Sequence, residues 1–229
     1  MRYKQVVQGT LIKRMNRFVA EVSINDSVER VHVKNTGRLK ELLYPDNKVL
    51  LEKSNNPKRT TNYSIIAANK NDKWINIDSQ APNAVIFEAL KEGKIKEIGK
   101  VDFLKKEVTF GESRFDFYYE NGDEKGFIEV KGVTLERNEV ASFPDAPTLR
   151  GMKHVLEMCQ AVQEGYKGTI LFVIQMKGCK SFTPNREMDP NFADRLLQAA
   201  QQGVQIIAYD SIVEEDSLFI DKQIPVSLI

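Results

Sequence analysis

The stretch Glu107–Lys131, EVTFGESRFDFYYENGDEKGFIEVK, decides how the rest of the chain is read. It divides into three short strands, Lys105–Phe110, Arg114–Glu120 and Gly126–Lys131, joined by two turns. Gly111-Glu112 suits a two-residue hairpin with glycine in first place. Counting outward from that turn sets Glu107 opposite Asp116. The second turn contains Asn121-Gly122; closed tightly, or as a wider loop from Glu120 to Lys125, it leaves Asp116 and Glu129 on one face. The wider register sets them directly opposite. Side chains two apart share a face, so Lys131 joins Glu129. Like charges set opposite one another destabilise a sheet, and a divalent cation is the natural agent to offset them.

Composition describes an ordinary globule. The chain has 229 residues, with 41% hydrophobic and 28% charged, long enough for one large domain or two small ones. No apolar run reaches the roughly 18–20 residues of a membrane helix. The basic N-terminus has no continuous apolar core of a secretion signal, which points to the cytoplasm. Cys159 and Cys179 have no metal-ligand spacing and read as idle thiols in a reducing compartment. Charge is uneven: 15 Lys+Arg against 8 Asp+Glu through residue 80, then 18 against 24 over the remaining 149. That asymmetry fits either a polyanion-binding half beside a carboxylate-bearing half or plain scatter of solvated charge.

The first 80 residues read as all-β. Tyr3–Ile12, Arg17–Ile24, Val28–Val33, Lys48–Lys53, Asn62–Asn69 and Lys73–Asp78 are strand candidates separated by turn formers. A short helix fits Thr36–Leu43. This pattern predicts a small Greek-key barrel of OB type, although other small barrels share the count. Its loops carry basic clusters, with Arg14, Asn16 and Arg17 in one, Lys34, Asn35 and Arg38 in a second, and Lys58-Arg59 in a third. Loops beside such a barrel face can hold a nucleic-acid strand through cations and aromatic rings, with Phe18, Tyr63 and Trp74 as candidate rings.

Ser79–Asn83 is turn-rich and sets the boundary between domains 1–80 and 81–229. A helix over Asn83–Glu92 follows, then the three-strand meander, then a helix over Leu149–Glu164 that carries Arg150, Lys153 and His154 in its first two turns, where donors can meet phosphate. Gly168–Gln175 reads as a buried strand, Pro190–Gln202 as a helix and Val204–Tyr209 as a strand; Ser211–Ile229 is unassigned. The order predicts a mixed-sheet α/β domain, so that the whole chain is α+β.

Hydrolysis of a phosphodiester needs a cation on the phosphoryl oxygen and an activated water. Asp116, Glu129 and Glu107 are the candidate metal ligands, with Mg²⁺ or Mn²⁺ as the expected ion. The Val130 carbonyl is an additional oxygen, and Lys131 is the group that orients water or stabilises charge. Glu88, on the preceding helix, is a further candidate acid. The competing reading is a solvated sheet face with cross-strand salt bridges.

Helix, three strands, helix, strand is the core order of the PD-(D/E)xK nuclease-like fold, which this region resembles, although Phe115 stands where the motif has proline. The strings KRMNRF, HVKNTGRL, SRFDF with EVKGVTL, FPDAPTLRGMKH and DPNFADRLLQAAQQGVQIIAY resemble the sugar fermentation stimulation protein A family over nearly the whole chain. That resemblance implies an OB-like N-terminal domain, a nuclease-like C-terminal domain, DNA as partner and a metal-dependent nuclease site at Glu107, Asp116, Glu129 and Lys131. It equally allows a DNA-binding regulator of sugar metabolism whose acid cluster is a structural or vestigial ion site. The family pattern usually has a small residue or proline where Lys34 stands, which suggests extra phosphate affinity here. No small-molecule cofactor and no membrane partner is expected.

Overall fold

The computed structural model describes all residues, Met1–Ile229. The chain divides into two compact units. The first is Met1–Ala81 with Gln175–Lys177 and Ser211–Phe219; the second is Pro82–Ile174, Gly178–Asp210 and Ile220–Ile229.

In the first unit, β1 (Val6–Arg14), β2 (Val19–Ile24), β3 (Ser27–Val33), β4 (Lys48–Lys53), β5 (Tyr63–Lys70) and β6 (Lys73–Asn76) form one sheet in the order β3-β2-β1-β4-β5-β6. β3 also pairs in parallel with β5, His32 opposite Ser64 and Val33 opposite Ile65, which closes five strands into a barrel. Closure removes the open edges that an apolar sheet would otherwise expose. Alternation fills the interior: Ala20, Val22 and Ile24 of β2 are buried, with Val31 and Val33 of β3. At Gly9 a Cβ would stand 2.6 Å from Val22 Cγ1 and 2.9 Å from the Ser23 carbonyl, so only glycine lets β1 cross β2 this closely. Thr36–Leu43 is not the predicted helix. It is a chain of turns in which Leu42 and Leu43 N–H groups both donate to the Leu39 carbonyl. The left-handed Leu39, at φ +45°, interrupts helical geometry there.

The second unit opens with α1 (Ala81–Lys91), followed by β7 (Phe103–Phe110), β8 (Ser113–Asn121) and β9 (Glu124–Val133). A small hairpin follows, β10 (Leu135–Arg137) and β11 (Val140–Phe143), and β11 pairs in parallel with β13 (Ser181–Pro184). After α2 (Leu149–Gln163) come β12 (Lys167–Ile174), α3 (Pro190–Gln201), β14 (Gln205–Val213) and β15 (Leu218–Ile224). The main sheet runs β15-β14-β12-β9-β8-β7, with β9, β12 and β14 parallel and β7, β8 and β9 antiparallel. The C-terminal tail that the sequence left unassigned therefore supplies an edge strand.

Two helices pin this sheet. Ile86, Ala89 and Leu90 of α1 pack with Phe117, Tyr119, Ile128, Val130, Leu171 and Ile207 in one buried cluster. Thr148 caps α2 by accepting from the Gly151 N–H through its hydroxyl, and Asp189 caps α3 through Phe192 N–H. On α2 the buried residues are Gly151, His154, Val155, Met158, Cys159 and Ala161, while Leu149 and Leu156 are exposed. Gly168 permits the close seating of α2 on β12, since a Cβ there would lie 2.7 Å from Val162 Cγ2 and 3.0 Å from Met158 Cγ. Both cysteines are buried and neither is in a disulfide.

Candidate metal centre

The β8–β9 hairpin closes through Gly122-Asp123, with Asn121 opposite Glu124 and pairing continuing to Phe117 opposite Ile128. That register sets Asp116 across from Glu129, as the wider of the two sequence registers requires. Regular pairing ends at this point. Instead the Val130 N–H donates to Asp116 Oδ2 at 2.7 Å, so the side chain replaces a main-chain acceptor. Asp116 Oδ1 accepts from Asn83 Nδ2 of α1 at 2.7 Å. Burial and then the Glu129 charge push the Asp116 carboxyl above its ordinary pKa, against the opposing pull of Val130 N–H, Asn83 and Lys131.

Glu129 is buried, 3% exposed. Its Oε1 accepts from Lys131 Nζ at 2.6 Å and from His154 Nδ1 of α2. Arg150 Nε donates to His154 Nε2 at 3.4 Å, which makes Nδ1 the protonated ring nitrogen. His154 also stands edge-on to the Phe115 ring, 6.3 Å between centroids. Burial alone would raise the Glu129 carboxyl; the donors His154 and Lys131 more than reverse it and hold Glu129 below its ordinary value. All of that help reaches Oε1. The other oxygen, Oε2, is buried without a hydrogen-bond partner, a state that costs about 1–3 kcal/mol for a buried polar group and more for a charged one.

Asp116, Glu129 and Lys131 thus converge as the sequence predicts, and two predicted acids do not join them. Glu107 is in register with Asp116, between the pairs Lys106–Phe117 and Val108–Phe115, but the ladder is interrupted at that step. Its backbone is left-handed at φ +54°, and its side chain, 65% exposed, turns to Arg114 at 3.6 Å. Two carboxylates forced together would repel; the turned backbone relieves that contact. Glu88 is exposed on α1, and the residue that α1 delivers to the site is Asn83 instead. No group of three or more His, Cys, Asp or Glu is gathered for a metal anywhere in the chain. The donor set offered to an ion is therefore two carboxylates, which suits a hard cation that keeps water or substrate oxygens in its remaining positions. The unpartnered Glu129 Oε2 fits that requirement.

Of the basic residues on α2, Lys153 meets Glu112 Oε2 at 3.0 Å and Arg150 lies against His154. His154, expected to face phosphate, points inward to Glu129. A signal for this was available: Gly151, His154, Val155, Met158 and Cys159 recur at helical spacing, so His154 belongs to the inner stripe. Asn83 had no comparable signal beyond its place at a helix start.

The first unit commits several predicted phosphate contacts to its own architecture. Arg14 donates to the carbonyls of Asn16 at 3.1 Å, Arg17 at 2.9 Å, Asn35 at 3.2 Å and Arg38, clamping two loops. Asn16 Oδ1 accepts from Phe18 and Val19 N–H. Asn35 bridges the Ile77 carbonyl and the Gly37 N–H. Lys34 bonds Glu52 Oε2 and Asp78 Oδ2, each at 3.0 Å, so its charge is neutralised internally rather than added to phosphate affinity. Burial lowers the Lys34 pKa, but Asp78 and Glu52 outweigh it and leave the ammonium above its ordinary value. Arg17, Arg38 and Lys58 are exposed, and Arg59 is half-buried.

The Sugar fermentation stimulation protein RE domain matches residues 80–217, and the SfsA N-terminal OB domain matches residues 12–77. The chain belongs to the sugar fermentation stimulation protein family. A homolog from Alkaliphilus oremlandii is 54% identical, covering 99% of this chain and 98% of its own. One from Ruminiclostridium cellulolyticum is 47% identical over the whole of both chains. Among solved structures, Pyrococcus furiosus SfsA in complex with Ca²⁺ is similar with a TM-score of 0.90 and 26% identity, covering 99% of this chain and 98% of that one. For this sugar fermentation stimulation family member the predicted architecture holds: an N-terminal OB barrel and a mixed-sheet α/β domain. No helix is long and apolar enough to cross a membrane.

Proposed function

We propose that this family member is a cytoplasmic DNA-binding protein with a divalent-metal-dependent phosphodiesterase site in region 81–229. The observation that carries the reading is Glu129 Oε2, a buried carboxylate oxygen with no protein donor beside a second acid, Asp116. Asp116 and Glu129 would hold Mg²⁺ or Mn²⁺, which would supply a Lewis acid for a phosphoryl oxygen. The Ca²⁺ complex of the Pyrococcus furiosus relative supports an oxygen-ligated divalent ion of this kind. Asn83 and the Val130 N–H hold the Asp116 carboxylate in place. His154 and Lys131 fix Glu129 through Oε1, and the Lys131 ammonium is the nearest cation for charge that develops during displacement. DNA contact falls to the exposed basic loops of 1–80, through Arg17, Arg38, Lys58 and Arg59, with Arg150 and Lys153 on α2.

Incubation of plasmid and single-stranded DNA with Mg²⁺ or Mn²⁺, against EDTA, tests this. Glu129→Gln and Lys131→Ala are expected to lower cleavage roughly 10²–10³-fold, the range for loss of one group that stabilises transition-state charge. Metal-independent cleavage, or cleavage indifferent to both substitutions, would falsify it. A second reading, a non-catalytic DNA-binding regulator of sugar metabolism with a structural ion site, is favoured by one feature: Lys131 is spent on Glu129. DNA binding without cleavage of any substrate selects that reading.

A further inference from the structure

The first unit carries an open cleft of about 630 Å³, lined in part by Phe18, His32, Lys58, Arg59, Thr61 and Gln80. Its floor and its rim differ in charge. At the floor, the Lys34 charge is more than offset by Glu52 and Asp78. His32 is held below its ordinary pKa by burial and by the Arg59 and Lys34 charges, so its ring is neutral near pH 7. Cationic character is confined to Lys58 and Arg59. Arg59 is fixed through one nitrogen, Nη2, which donates to Ser64 Oγ at 2.9 Å and Thr61 Oγ1 at 3.2 Å, and the rest of its guanidinium is left for the cleft. Beside these lies Phe18, 52% exposed, whose backbone is anchored by Asn16 and Val33 while its ring meets solvent.

A hydrogen-bonding floor without a free cation, a fixed guanidinium and an open aromatic face match the parts of a nucleotide: base edge, phosphate and base face. The ring can stack only on a base whose own face is uncovered. In a duplex both faces are covered by neighbouring pairs, whereas a single strand or a frayed end offers them. We propose that this cleft binds unpaired nucleotides of a nucleic-acid strand, with a base stacked on Phe18 and a phosphate on Arg59. This deepens the DNA-binding reading above and rests on it for the presence of DNA, but it requires no cleavage.

The test is fluorescence anisotropy with a labelled oligothymidine strand and a labelled duplex sealed at both ends by non-nucleotide linkers, in EDTA so that nothing is cut. The strand is expected to bind more tightly than the duplex. Phe18→Ala is expected to weaken strand binding about tenfold, within the range for loss of one stacked base, and to leave duplex binding unchanged. Phe18→Trp should restore the strand affinity, which excludes general damage to the loop. Arg59→Ala is expected to lower the salt dependence of strand binding by about one counterion. Tighter binding of duplex than strand, or strand affinity indifferent to Phe18→Ala, overturns the inference and leaves the DNA-binding reading standing. Failure to bind either probe overturns both.

Discussion

A lysine stands beside two acids in the barrel and again in the β8–β9 site, and the two trios are finished differently. In the barrel, Lys34 Nζ reaches Glu52 and Asp78 at the same 3.0 Å, and Tyr3 Oη adds a bond to Asp78 at 3.4 Å. In the second unit, Lys131 serves Glu129 alone, while Asp116 is held by an amide and a main-chain N–H. Burial and then the Glu129 charge raise Asp116, and Glu129 keeps one oxygen without a donor. Similar residues at similar burial thus give a closed ion cluster in one place and an open one in the other. A closed cluster contributes to stability; an open one stores a cost that a bound cation can relieve.

The largest effect that would break this contrast is expected at Lys34. Lys34→Met leaves Glu52 and the buried Asp78 without their counter-charge and should cost about 3–5 kcal/mol, the usual range for removing one partner of a buried pair. Urea unfolding followed by circular dichroism measures it. A change below about 1 kcal/mol would mean that the barrel trio is as loosely built as the other. Next comes a difference of sign. Asp78→Asn should lower the melting temperature, whereas Asp116→Asn should raise it or leave it unchanged, because the Asp116 charge is unfavourable where it sits. Mn²⁺ should raise the melting temperature of the unaltered protein and not that of Asp116→Asn. Calorimetry with and without metal reads both, and a destabilised Asp116→Asn would cancel the distinction.

Alkaline pH gives a smaller and gradual effect. Lys34 has a folded pKa above its ordinary 10.5, so its contribution is complete below the unfolded value and is lost as pH rises through the folded one. Tyr3, also raised by burial and then by Asp78, acts in the same direction. Stability should therefore fall above about pH 10.5, and Lys34→Met should flatten that decline without abolishing it, since Tyr3 remains. The smallest effect is expected at Glu107. Its side chain is mostly solvated and its ion pair with Arg114 is exposed, so Glu107→Ala should change stability by less than about 0.5 kcal/mol and leave cleavage intact. A hundredfold loss of cleavage would return Glu107 to the site.

The fate of Glu107 shows where sequence reading stops. Period-two alternation and one hairpin turn suffice to bring Asp116, Glu129 and Lys131 to one place, because strand geometry is regular over those few residues. The same counting puts Glu107 in the row, and the register agrees, yet a left-handed backbone at that residue turns the carboxylate outward. No periodic rule reports a single dihedral angle. His154 and Asn83 lie 25 and 33 residues from their partners, so only the packing of α1 and α2 on the sheet places them. Basic loops raise a different difficulty. Arg14 and Lys34 look alike in sequence to Lys58 and Arg59, but the first two satisfy carbonyls and carboxylates of their own unit. Which cation is spent internally depends on loop closure, which composition does not record. The OB-type barrel was readable from strand count and turn spacing, whereas the Thr36–Leu43 helix was not sustained because a left-handed leucine divides it.

The barrel unit also borrows chain from far downstream. Asn76 N–H donates to the Gln175 carbonyl, Gln175 Nε2 donates to Asn76 Oδ1 and the Asp78 carbonyl, and Tyr3 N–H donates to the Asp216 carbonyl. On a ribosome adding roughly 5–20 residues per second, the first unit to emerge must wait on the order of ten seconds for its last pieces. During that interval Asn76 and Asp78 lack their Gln175 partners, and the barrel made first is among the parts finished last.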